Sequence, residues 1–484
     1  MSAVSRGGRR VAERKAPQPR TRPDRSAVTA LVLLAVAALA LALTRGQEQP
    51  DAVGATEGAP VDRTQLACPA TSLPDMSGAG VRARSFAGLL TDDEDGEPLG
   101  DSGRVGSGAV GDEPSDIELR RGQVVPLDAG DDAPYLDAEG ELAAGLFGHR
   151  TDESGTASAV GACAAPRTSW WFTGLGADLD HTSQLVLTNL DPGPAVVDIE
   201  VFGPDGEVDT VGTRGVTVGP GESTTYSLAD VAPQTSELMV SVQASRGRVA
   251  VAASDRFAVS PAAPAGFEWV GDAVQPSRNV RLAGVQASAA SKTLVVGNPS
   301  DSEALVQVQV AGEGGSFAPT ELEDLSVAPG TVETVDLAGV LPKREAVAVR
   351  VRSQVPVTAS LRAASRPDVA YADVVTPLAA QAVAPVLSRG RTTLQLTAGS
   401  AGAVARVEGF RADGRSTGDE ELDVAATATQ TWRPARGTAY AVVTPIEGSV
   451  FGAAVYDEAA GLSAFPLRGL PVRVRLPGVA PGPL

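Results

Sequence analysis

The chain has 484 residues with a formal net charge of −19, and 43% of its residues are apolar. That length is too great for one ordinary core and predicts three or four domains. The charge is split: residues 1–45 carry nine basic and two acidic groups, a net of +7, and the remainder carries 31 basic and 57 acidic groups, a net of −26. So acidic a body repels phosphate backbones and anionic lipid surfaces, which argues against nucleic-acid binding.

Residues 1–25 read as a basic, disordered tail. Ala27 to Leu43 is apolar except for Thr29. With its flanks (26–44) the run is long enough for a transmembrane helix, the structure that satisfies its own backbone in lipid. Eight basic residues precede it, and Arg45 and then acidic residues follow it. The positive-inside bias therefore predicts a single-pass protein of the cell membrane, with a cytoplasmic N-terminus and an extracytoplasmic C-terminal body. The alternative is a cleaved signal peptide with Ala40-Leu41-Ala42 at its cleavage site. Both readings export the body. Residues 45–65 read as a disordered linker.

Cys68 and Cys163 are the two cysteines. An even count in an oxidising compartment predicts a disulfide between them. The pair brackets a degenerate β domain, 66–165, in which 91–116 resembles a long acidic loop.

Beyond it the chain repeats. Ser183-Gln-Leu-Val-Leu-Thr-Asn189 recurs as Lys292-Thr-Leu-Val-Val-Gly-Asn298, and more weakly as Arg391-Thr-Thr-Leu-Gln-Leu-Thr397. Leu185 to Leu294 and Pro220 to Pro329 share one offset of 109, while the third copy drifts. Alternation such as Val306-Gln-Val-Gln-Val310 marks half-buried strands, and Pro-Gly and Asp-Gly pairs mark the turns. Six or seven short strands per hundred residues predict an all-β fold of tandem immunoglobulin-like β-sandwiches at 166–273, 274–378 and 379–476, with 66–165 as a degenerate fourth. Residues 477–484 form a tail. A propeller would repeat on a shorter period.

Several motifs together resemble a known group: Cys68-Pro69, Cys163 with Pro166, Trp171-Phe172-Thr-Gly174, Leu185 to Asn189, Asp205-Gly206, and Gly266-Phe-Glu-Trp-Val270 leading to Pro276. The combination resembles an uncharacterised family of exported, single-pass actinobacterial proteins, classed as a domain of unknown function, over most of residues 66–375. The resemblance implies an envelope location and carries over no catalytic residues.

No nucleophile elbow, zinc-protease helix or phosphate-cradling loop is present in the sequence. His149 and His181 stand alone and read as surface or loop residues. Thr91-Asp-Asp-Glu-Asp-Gly96 has the carboxylate density of a calcium loop but lacks its first Asp and its flanking helices, so it reads as a solvated loop. Trp170-Trp171-Phe172 is the densest aromatic cluster and the candidate interaction surface, against a reading in which its members fill a seam between sandwiches. No catalytic, metal or cofactor residue is assigned. The expectation is a non-enzymatic envelope protein with a structural or protein-interaction role, whose partner is an envelope protein or a glycan. The alternatives are a carbohydrate-binding accessory to cell-wall or glycan assembly, and a glycosidase with paired carboxylates.

Overall fold

The computed structural model describes residues 58–70, 82–127, 134–153, 157–260, 263, 265–320, 322, 325–365, 368–388, 391–458 and 461–474. The basic tail, the apolar run 26–44, most of the linker and the C-terminal tail lie outside them. No helix among the described residues is long and apolar enough to cross a membrane.

Among the described residues the fold is almost wholly β, and its one α-helix has four residues, Leu228–Val231. Its strands fall into four successive two-sheet units with one shared order. In the first unit, Arg63–Ala67, Pro134–Gly140, Gly103–Ala109 and Ser115–Asp116 lie side by side, so strands one, six, three and four make one sheet. Val124–Leu127, Arg82–Leu89, Leu146–Glu153 and Ser158–Ala162 make the other, so its order is five, two, seven, eight. The fourth unit repeats this as Ala382–Pro385, Tyr440–Glu447, Ala403–Phe410 and Ser416–Val424 beside Thr429–Trp432, Arg391–Ala398, Val450–Glu458 and Gly461–Pro466. The second unit adds a short strand, Gly206–Glu207. In the third, strands six and seven are one 18-residue strand, Ala348–Ser365, whose first part pairs in one sheet and second part in the other. Pro356 sits exposed between the two parts, where a missing N–H is tolerated.

Alternation builds each core. In Ala195–Gly203, Val197, Ile199 and Val201 are buried and face Leu185 and Leu187 of the other sheet. The segment 91–116, expected as one loop, contains the strands Gly103–Ala109 and Ser115–Asp116. Val105 is its one large buried anchor, so glycines and serines hide the period-two pattern. The strand Arg63–Ala67 likewise begins inside the stretch read as linker.

The four units are not strung out. Their eighth strands, Ser158–Ala162, Gly266–Val270, Asp368–Val374 and Gly461–Pro466, lie against one another in a closed cycle. The fourth unit also packs on the first: Leu90, Val124 and Phe147 share a cluster with Val383, Tyr440 and Val442. Val124 donates its backbone N–H to Ala412 O at 3.0 Å. Ala59–Pro60 then pairs antiparallel with Arg473–Val474, so the two ends of the ring meet.

Candidate functional site

The centre of the ring is a buried carboxylate. Asp368 opens the eighth strand of the third unit and is 3% exposed. Its Oδ2 accepts the N–H of Ser158 at 3.1 Å and of Leu462 at 2.7 Å, and its Oδ1 accepts that of Phe267 at 3.3 Å. Each donor comes from a different unit, so one side chain ties all four eighth strands. Burial pushes its pKa up to about 7, against the pull of these N–H groups. Beside it, Glu268 accepts the N–H of Ala464 at 3.1 Å, and burial raises its pKa well above the usual carboxylate range. Asp373 accepts the N–H of Gly271 at 2.9 Å and is pushed by burial to about 8. Each of these carboxylates accepts at least one backbone N–H from another unit, as structural links do.

Both histidines are buried, His149 to 6% exposure and His181 to 4%, which corrects the expectation of surface or loop positions. His181 sits between the second and third units. Its Nε2 lies 3.0 Å from Arg362 Nη1 and its Nδ1 lies 3.1 Å from Asp255 Oδ2. A guanidinium can only donate, so Nε2 accepts and the proton is on Nδ1, donated to Asp255. Ser183 and Tyr371 also donate to Asp255, at 2.6 and 2.7 Å. Burial works to raise the Asp255 pKa, but His181, Ser183 and Tyr371 outweigh it and hold it below the ordinary value. Arg362 in turn binds Glu237 through two nitrogens, at 3.0 and 2.7 Å. Ser, His and Asp are close here, but the serine hydroxyl points to the carboxylate and not to the imidazole. The arrangement is a buried seam of hydrogen bonds and lacks the geometry of a nucleophile with its base.

Cys68 and Cys163 form a disulfide, joining the end of the first unit's first strand to the end of its eighth. Trp170 and Phe172 are core side chains, 2% and 1% exposed. The Trp170 indole donates to Val249 O at 2.9 Å, and the Arg167 guanidinium covers its ring at 3.7 Å. Trp171 is half-buried and packs on Met239, Val295 and Val332, in the seam between the second and third units. In the acidic loop, Asp93 turns inward and accepts the N–H groups of Asp95 and Glu97 at 3.0 and 2.9 Å. No cluster of His, Cys, Asp or Glu that could hold a metal ion occurs among the described residues.

A groove of about 790 Å³ lies between the first and fourth units. Arg84, Phe86, His149 and Glu153 line one wall, and Arg391, Thr392, Arg433 and Arg436 line the other. The arginines come from three separate segments. Only Arg433-Pro-Ala-Arg436-Gly437, in one Pro- and Gly-bearing loop, offered a local sequence signal.

A family model matches residues 124–435 and is described as a family of unknown function, DUF5719. The chain belongs to this family. The DUF5719 span starts at the fifth strand of the first unit and runs into the fourth, so it takes in Asp255, Asp368, Arg391 and Arg433 and leaves out Cys68, Arg84 and Arg436. No curated protein matches the chain in sequence. One solved structure, an α-L-rhamnosidase of Streptomyces avermitilis complexed with L-rhamnose, aligns at 12% identity with a TM-score of 0.11, over 81% of this chain and 54% of the enzyme. The chain thus spans about half of that enzyme's length, and so low a score supports no argument.

Proposed function

We propose that this DUF5719 protein is a membrane-anchored, extracytoplasmic scaffold of the cell envelope, non-enzymatic, whose four units are immunoglobulin-like sandwiches fixed as one rigid platform for an envelope partner. The observation that carries this reading is the convergence of four eighth strands on Asp368. Flexible spacers keep their modules separate. A ring closed at its centre and at its ends instead holds surface points at fixed distances, as a docking platform requires. The apolar run after a basic tail, and a disulfide that persists in oxidising compartments, support export. The central carboxylates are acceptors of backbone N–H groups, which favours a structural role over a glycosidase pair.

The test has two parts. Protease applied to intact cells should digest the body while sparing the basic tail, and a photo-crosslinker on the exposed face should capture one envelope protein reproducibly. A body protected from protease in intact cells, or crosslinking confined to lipid and to the chain itself, would contradict the proposal. A carbohydrate-binding accessory is the second reading, favoured by the groove between the first and fourth units.

A further inference from the structure

The groove between the first and fourth units is electrostatically out of place. Four arginines line it against one carboxylate, Glu153, in a region of the chain whose net charge is −26. All four are exposed, and among the described residues none has a salt bridge or hydrogen-bond partner. Some arginines elsewhere in the body are paired, as in Arg63 with Asp137, Arg248 with Asp191 and Arg415 with Asp413; what sets the groove apart is that four gather in one cleft. Like charges held together in a cleft repel one another, and the low-dielectric walls focus their field outward.

Phe86, half-buried and stacked on His149 with ring centroids 5.0 Å apart, adds an apolar surface to the wall. His149 is held neutral by burial and adds no charge.

We propose that this groove binds a ligand carrying two or more phosphate groups, held by the guanidinium groups of Arg84, Arg391, Arg433 and Arg436. Guanidinium forks fit phosphate oxygens in pairs, and a phosphate can offer more negative charge and one more oxygen than a carboxylate. Four guanidiniums therefore match two or more phosphates better than a neutral sugar. The inference stands whether or not the body is a scaffold, because it rests on the groove alone.

The test is calorimetric titration of the full detergent-solubilised chain with sodium tripolyphosphate, trigalacturonate and maltotriose as probes. Tripolyphosphate should bind, more weakly as salt rises from about 50 to about 200 mM. Removing two charge-assisted contacts in Arg391→Ala/Arg433→Ala should weaken it by about tenfold or more. Arg278→Ala, an exposed arginine of the third unit, should leave binding unchanged. The proposal is overturned if tripolyphosphate does not bind, if the double variant binds it like the parent, or if trigalacturonate or maltotriose binds as tightly.

Discussion

Asp368 and Leu462 are 94 residues apart in sequence, and the carboxylate of one accepts the backbone N–H of the other at 2.7 Å. The same carboxylate takes the N–H of Ser158, 210 residues earlier in the chain. A single side chain therefore serves as the shared acceptor of four β units. The full set of these bonds forms only when all four units have come together, so they couple the units' stabilities.

Asp368→Ala should be among the most damaging single substitutions in the body. It would orphan three buried N–H groups, each worth about 1–3 kcal/mol when left unsatisfied. We expect a loss of at least about 3 kcal/mol, read from the denaturant midpoint. Asp368→Asn keeps an acceptor oxygen and should lose less. Equal stability of the Ala variant and the parent would show that the ring does not depend on this residue.

The pH dependence has a definite sign. Burial places the Asp368 pKa at about 7, above about 3.9 for an unfolded aspartate. The fold thus favours the protonated acid. Its contribution is complete below the unfolded value and is lost as pH rises through 7. Asn cannot ionise, so the stability gap between parent and Asp368→Asn should shrink from pH 5 to pH 8. His149, pushed down to about 4 by burial, titrates with the opposite sign, but it is present in both proteins and cancels in the difference. A gap that widens over that range would contradict the assignment.

Close approach at the centre requires glycine. A Cβ on Gly461 would lie 2.6 Å from Ser158 N and 2.8 Å from Asp368 Oδ2. One on Gly266 would lie 2.5 Å from Asp368 Oδ1 and from Val369 N. Gly461→Ala and Gly266→Ala should each destabilise the chain by about 1–3 kcal/mol through overpacking. Gly193→Ala, which meets nothing within 4 Å, serves as the neutral control in the same thermal melts.

The disulfide spans 95 residues of sequence. Closing so long a loop limits the unfolded ensemble by about 4–5 kcal/mol in the chain-entropy picture. Reduction, or the pair Cys68→Ala/Cys163→Ala, should lower the unfolding midpoint accordingly. Unchanged melting after complete reduction would remove the bond from the account of stability.

What the sequence made legible was local. The alternation Val197, Ile199, Val201 predicts the strand Ala195–Gly203, and the matching Val306, Val308, Val310 predicts Ala304–Gly312. The valine alternation on either side of Pro356 looks like two strands, but Ala348–Ser365 is one continuous strand, because no Gly or Asn turn interrupts it. Trp170 and Phe172 stand out as aromatics, but pattern alone does not say that they point into the core while Trp171 fills a seam. Asp368 carries no local signal: its partners lie about one hundred residues or more away. The arginines of the groove are dispersed in the same way, and only closure of the fourth unit on the first gathers them.

Small-angle scattering from residues 59–474 tests the closed ring most directly. A single compact body of that length should give a radius of gyration of roughly 22 Å. Four β units arranged end to end would exceed about 35 Å, and that value would contradict a ring closed on Asp368.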